Sequence, residues 1–507
     1  MRRLTGGRRA GVLAHVTSLP GRFGIGDLGS GAIAFLDWAR EAGFSVWQVL
    51  PLHPAGSGAS PYDARSAFAG NALLLSPEAL ARDELLGRPA PRGRHDPDRV
   101  DFRAAERATE RRVSRAWARF RAAPDPALAA AYEAFVADPS ERAWLEDWAA
   151  YAVLRRHHAG RAWPAWDEDL RSRRPPALRR ALGALAAELD LERWTQFLFR
   201  RQWLALHEAA RERGIEIFGD LPFYVALDSA DVWAHQDLFD LDERGRPARV
   251  GGVPPDLFSV TGQRWGQPTY RWDRMAQDGF AWWVARVGAE LRLFDLLRLD
   301  HFRGFSAYWE IDGAHETAER GRWVTGPGRA LFEALAAAHG ALPLVAEDLG
   351  VITADVAHLR DTLGLPGLHV AQFAFGDDAA QHERASHRPH DVVYSGTHDN
   401  DTLDGWLAAL DATTRQRLLA SVPDVAQRGA AAVVEWVYRS PCALAIVPLQ
   451  DLLGLGSAAR MNVPGSADGH WAWRARAELL TPERAASLRA WAVASGRAAA
   501  GGTRARC

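Results

Sequence analysis

The chain has 507 residues, a formal net charge of -2, 48% hydrophobic and 24% charged residues, the profile of a globular protein able to bury a large core. All 61 residues of its Lys+Arg count are arginine, which excludes Schiff-base lysine chemistry and a lysine-bearing phosphate loop, while near-neutral charge argues against nucleic acid or an anionic membrane as partner. No run approaches the ~18 to 20 apolar residues of a membrane span, the basic N-terminus lacks the apolar stretch of a signal peptide, and the two cysteines, Cys442 and Cys507, make neither a disulfide framework nor a metal site, so a cytoplasmic location is expected.

Eight strand-like runs follow in chain order: GVLAHV at 11–16, SVWQVLPL at 45–52, GIEIFGDLP from 214, FDLLRLDHF at 294–302, LPLVAEDLG from 342, LHVAQFAFG from 368, DVVYSGTHD from 391 and ALAIVPLQD from 443. Helical stretches separate them. Between the first two, Phe35, Trp38, Ala39 and Ala42 share one helix face and Gly43 ends it; before the third, Leu191, Trp194 and Leu198 recur at helical spacing. Apolar strands alternating with helices predict an α/β fold, a closed (β/α)8 TIM barrel over 1–507. Two gaps exceed a simple crossover. The first predicts a helical insertion at 76–200 between strands two and three; the second, at 225–290 between strands three and four, carries a Pro- and Gly-dotted loop at 251–270. Both follow C-terminal strand ends, the face on which barrel enzymes build their sites, so they are expected as subdomains over the site mouth. The tail after Ala498 reads as frayed.

Acidic residues stand at the same end of four of these strands: Asp220 in IFGDLP, Asp300 in RLDHFRG, Glu347 in VAEDLG and Asp399 in GTHDND. A closed barrel brings those ends into one ring. Arg298, two residues before Asp300, points to the same face, and a neighbouring guanidinium favours an ionised carboxylate, the state a nucleophile needs. Leu344, Val345 and Ala346 give Glu347 an apolar approach suited to a carboxyl kept protonated as a general acid. Asp399, between His398 and Asn400, suits polar contacts to a hydroxylated substrate. Two carboxyl groups in unlike surroundings are the arrangement of glycoside chemistry. A divalent metal on Asp300, His301, Glu347 and His398 is the competing use; without HxH or HExxH spacing, and with Arg298 opposing a cation, no metal is expected. His157 and His158 read as surface residues of the helical insertion. Loop aromatics Tyr62, Phe258 and Trp265 supply faces on which sugar rings stack, whereas Trp194 and Trp203 read as core.

Taken together, RLDHFRGF, LVAEDLG and GTHDND resemble the nucleophile, acid/base and stabiliser segments of the α-amylase superfamily, and GDLPFYVALDSADVW, SLPGRFGIGDLG, SPYDARSAFAGN, PPDLFSVTGQRWGQPTY and RMNVPGSADGHWAWR resemble the amylomaltase or disproportionating type of 4-α-glucanotransferase within it. The resemblance spans Gly11 to about Arg474. It implies Asp300 as nucleophile, Glu347 as acid and then base, and Asp399 as the residue binding ring hydroxyls. Arg298, Asp220, His398 and Tyr62 would share the donor subsite; Asp256, Phe258, Gln263 and Trp265 would belong to a loop arching over the cleft, with Asn462 near its far wall. His470 stands where the family more usually has Asn. The implied reaction is retaining transfer of α-1,4-glucan segments from a maltooligosaccharide, starch or glycogen-type donor to the 4-hydroxyl of another glucan or glucose, with no metal or organic cofactor. An α-glucan hydrolase is the alternative, and a catalytically dead glucan-binding protein a distant third. The chain's three asparagines, Asn71, Asn400 and Asn462, all lie in these segments.

Overall fold

A computed structural model describes residues 7–56, 58–87, 95–255, 259–376, 379–466 and 469–498. Its described strands are β1 (Arg9–Leu13), β2 (Val46–Gln48), β3 (Glu216–Leu221), β4 (Arg249–Val253), β5 (Gln263–Pro268), β6 (Leu296–Leu299), β7 (Ala307–Asp312), β8 (Gly321–Thr325), β9 (Leu344–Ala346), β10 (Leu368–Val370), β11 (Val392–Tyr394) and β12 (Leu444–Pro448). Eight of them pair in parallel in the order β10-β11-β12-β1-β2-β3-β6-β9, and these are the eight apolar runs read from the sequence. The remaining seam closes outside the ladder, where the Ala346 N–H donates to Pro366 O at 2.9 Å. The result is a (β/α)8 TIM barrel whose strands are buried on both faces, with Trp47, Ile217, Leu297, Val345 and Ile446 fully or almost fully enclosed.

The helix Ser30–Glu41 shows how sequence becomes packing: Phe35, Leu36, Trp38 and Ala39 are buried against the barrel, and Gly43 leaves it at φ +83°, a turn that a residue with a Cβ resists. Between β2 and β3 lie the helices Pro77–Arg82, Phe102–Ala122, Pro126–Ala137, Pro139–His157, Pro175–Ala184 and Ala186–Glu212, among shorter turns. The last runs unbroken across position 200, so the helix that completes the crossover to β3 also carries the insertion; Trp194 and Trp203 are fully buried along it. His157 is exposed, while His158 stacks on Trp166 at 5.1 Å.

The second sheet is antiparallel, in the order β5-β4-β7-β8. Half of it comes from 307–325, beyond the limits of the insertion read at 225–290. Its strands are partly exposed and carry no long apolar run, which is why they do not stand out in the sequence. No described helix is long and apolar enough to cross a membrane.

Candidate active site

Register places the charged residues. In the β3–β6 ladder Asp220 stands opposite Arg298, so their side chains meet on the barrel interior. Arg298 Nη1 donates to both Asp220 oxygens at 2.8 and 2.9 Å, and its Nη2 lies 2.9 Å from Asp300 Oδ1. In the β6–β9 ladder Leu299 pairs with Ala346, so the next residue of each strand, Asp300 and Glu347, emerges side by side at the mouth. Three carboxyl groups thus gather at the C-terminal face around one buried guanidinium.

Glu347 is held by the chain itself. Its Oε2 accepts the His301 N–H at 2.6 Å and its Oε1 the Leu349 N–H at 3.1 Å. His301 aims that N–H by adopting the left-handed region, φ 50° and ψ 49°, which histidine tolerates better than most residues. Its ring packs edge-on to Trp265 at 4.9 Å, so β5 of the antiparallel sheet reaches the turn that follows Asp300. Gln263, two residues from Trp265 on the same strand, accepts from the indole N–H at 3.2 Å. Asp256 and Phe258 lie outside the described residues.

Opposite this turn, the Tyr62 hydroxyl donates to Asp220 Oδ2 at 2.7 Å, and its ring stacks on His398 with centroids 4.9 Å apart and planes 18° from parallel. Asn462 Nδ2 donates to Asp399 Oδ1 at 2.6 Å, and Arg460 donates to the Asp399 carbonyl, also at 2.6 Å. The sequence reading missed Arg460 and Trp471. Trp471 lies 5.8 Å from both the Tyr62 and His398 rings, making a three-ring wall; the only signal for it was its place beside His470 in the GHWAWR segment. The buried His470 Nε2 has no hydrogen-bond partner.

The electrostatics correct one expectation. Arg298 was expected to hold Asp300 below the carboxylate range. Instead burial pushes Asp300 up to about 8, Arg298 opposing that rise and Asp220, Glu347 and Asp399 adding to it as like charges. Burial raises Glu347 as well, against the pull of Arg298 and its two backbone donors. With both members of the pair raised, these two carboxyls hold their protons to higher pH than free carboxyls do. Burial disfavours charge on Arg298 too, but Asp220 and Asp300 outweigh it and hold the guanidinium well above its usual value. Burial lowers His398, leaving it neutral, and with Asp220 keeps the Tyr62 phenol protonated and donating. Among the described residues, no group of three or more His, Cys, Asp or Glu side chains is arranged to hold a metal ion.

Comparison with known proteins gives the family and the fold. A family model described as 4-alpha-glucanotransferase matches residues 14–481. The chain is 45% identical to a 4-alpha-glucanotransferase of Thermus thermophilus over 97% of its own length and 99% of the relative's, and 44% identical to one of Synechocystis sp. over 93% and 95%. Among solved structures, an amylomaltase from Streptococcus agalactiae in complex with acarbose superposes with a TM-score of 0.93 at 33% identity, covering 97% of this chain and all of that one.

Proposed function

Because the chain belongs to the 4-alpha-glucanotransferase family and is an enzyme that transfers glucan segments, we propose that Asp300 is its nucleophile, Glu347 its acid and base, and Asp399 its anchor for ring hydroxyls. The observation that carries this reading is the register of β6 and β9. It brings Asp300 and Glu347 out side by side at the ends of adjacent strands, where two carboxyl groups can flank one glycosidic bond.

In this reading the substrate is an α-1,4-glucan, a maltooligosaccharide or a starch or glycogen-type chain. One glucose unit lies against Tyr62 and between Asp220, His398 and Asp399. Glu347 gives the proton of the carboxyl pair to the glycosidic oxygen while Asp300, now ionised beside Arg298, attacks the anomeric carbon. The C–O bond to the departing fragment breaks as the C–O bond to Asp300 forms, leaving a β-linked glucosyl-enzyme. A second glucan, or glucose, then presents its 4-hydroxyl; Glu347 takes the proton and the segment is transferred with α configuration retained. Transfer outruns hydrolysis when the acceptor is held in place, since an oriented hydroxyl acts at an effective molarity of ~10⁵ M or more. Gln263 and Trp265, above the His301 turn, support that placement. A cytoplasmic setting belongs to the same proposal, supported by Cys442 being a buried free thiol.

Incubation of the pure enzyme with maltotriose tests the reaction. Glucose and oligomers longer than the substrate should appear with no net gain in reducing ends. A steady rise in reducing ends without longer products would replace transfer by hydrolysis.

A further inference from the structure

Six large hydrophobic side chains are substantially exposed among the described residues, Val260, Trp323, Val351 and Val463 among them. Val463 adjoins Asn462 on the side of Asp399. The other three lie on the side of Glu347, and a continuous set of contacts joins them. Arg303 Nη1 donates to Val351 O at 2.6 Å, just beyond the Leu349 N–H that holds Glu347. The same guanidinium lies 3.9 Å from the ring centroid of Trp323. Across the β7–β8 ladder Trp323 pairs with Trp309, rings 5.3 Å apart at 65°. Trp309 Nε1 donates to Ala318 O, and the Ala318 N–H donates to Thr261 O, next to Val260, both at 3.0 Å.

Trp323 is therefore an indole on the outer strand of the antiparallel sheet, 44% exposed, yet fixed by a cation against its ring and a second tryptophan against its side. Such a ring is costly to leave in water, and a sheet edge is a place where proteins ordinarily avoid bulky apolar groups. Val351, 71% exposed, stands two residues beyond the Leu349 N–H that holds Glu347, and Val260, 87% exposed, lies between β4 and β5. Space for the pair of indoles is reserved: a Cβ on Gly321 would stand 2.5 Å from the Trp309 ring.

We propose that Trp323, flanked by Val351 and Val260, is an acceptor-side platform on which a distal glucose unit of the α-1,4-glucan stacks, so that acceptors long enough to reach it are preferred. The inference rests on the glucan-transfer reading above and deepens it. The side is set by chemistry: the general acid protonates the bond to the departing fragment, so the chain that leaves, and the acceptor that replaces it, lie on the Glu347 side of the cut. The apolar C–H face of a pyranose matches an exposed aromatic ring.

The test varies the acceptor at fixed amylose donor, comparing glucose with maltoheptaose. Trp323→Ala should raise KM for maltoheptaose roughly three- to tenfold, the scale of one aromatic contact, while kcat with glucose as acceptor changes less than about twofold; Trp323→Phe should recover most of the loss. An unchanged maltoheptaose KM, or equal losses with both acceptors, would overturn the platform, the second pattern marking Trp323 as structural support. Calorimetric titration of maltoheptaose into Glu347→Gln with and without Trp323→Ala reads the contact without turnover: weaker binding in the double variant supports it and equal binding refutes it. If the parent enzyme releases reducing ends in place of longer products, the transfer reading fails while this binding comparison still decides the platform.

Discussion

Arg298 touches two carboxylates at once, and that sharing governs the chemistry around it. The sequence placed Arg298 and Asp300 on one face of a strand, and the contact exists. What two-residue spacing could not reveal was burial together with three further carboxyl groups, enough to raise Asp300 rather than lower it. One prediction concerns roles: Asp300→Asn and Glu347→Gln should each reduce turnover by more than ~10²-fold in an initial-rate assay on maltotriose, and near-normal activity in either would reassign it. Another concerns pH. The working form holds one proton on the carboxyl pair, so kcat/KM should fall on the acid side as a second proton binds and on the alkaline side near pH 8 as the last one leaves. Asp220→Asn removes a like charge that raises Asp300, so the alkaline limb should move to lower pH. The three asparagines show the same economy: Asn71 caps a turn by accepting the Leu73 N–H, Asn400 accepts the Thr397 N–H, and Asn462 holds Asp399.

Elements, more than single residues, explain how Tyr62 reaches the site. It sits in the segment from β2 to Asn71, whose far end is pressed against the helix Ala186–Glu212. Gln196 on that helix accepts the Gly70 N–H at 2.7 Å and donates to Gly70 O at 3.1 Å, and a Cβ on Gly70 would fall 1.9 Å from Phe199 Cδ1. Gly70→Ala should therefore destabilise the protein by about 1–3 kcal/mol, the usual cost of overpacking, with a lower midpoint in urea unfolding and a raised KM because the Tyr62 segment shifts. An unaltered midpoint would mean that the helix yields freely. Elements also differ in how plainly they were written. The eight barrel strands are legible because burial on both faces demands apolar runs. The antiparallel sheet is not, since β8 is largely exposed and β4 contains Gly251 and Gly252, which carry no pattern. The turn at His301 was equally hidden, because a left-handed histidine looks like any other histidine in a sequence.

At the scale of the whole molecule, one residue near the C-terminus joins the chain's two ends. Buried Arg497 donates to the carbonyls of Tyr438 and Ser440 at 2.7 Å and to that of Arg9, at the start of β1, at 2.8 Å. Arg497→Ala removes a donor from three carbonyls beside the β1–β12 seam, of which that of Tyr438 still accepts from Arg8. At about 1–3 kcal/mol for a buried group left unpaired, the loss should be several degrees in thermal midpoint, with the relative efficiency on short and long acceptors retained in the folded fraction. A midpoint within a degree of the parent's would show that solvent replaces the contact. Such closure, joining residues 488 positions apart, is the kind of fact that order along a chain does not contain. By itself the sequence determined the barrel, the acids at its strand ends and the reaction class, because apolar strand runs and short acidic motifs are local and each carries its meaning in a few neighbouring residues. Only the tertiary structure decided the burial that raises Asp300 and Glu347, the Tyr62–His398–Trp471 wall and the exposed Trp323 on the antiparallel sheet, because charge state and surface both depend on which distant groups are brought within a few ångströms and how much water is left between them.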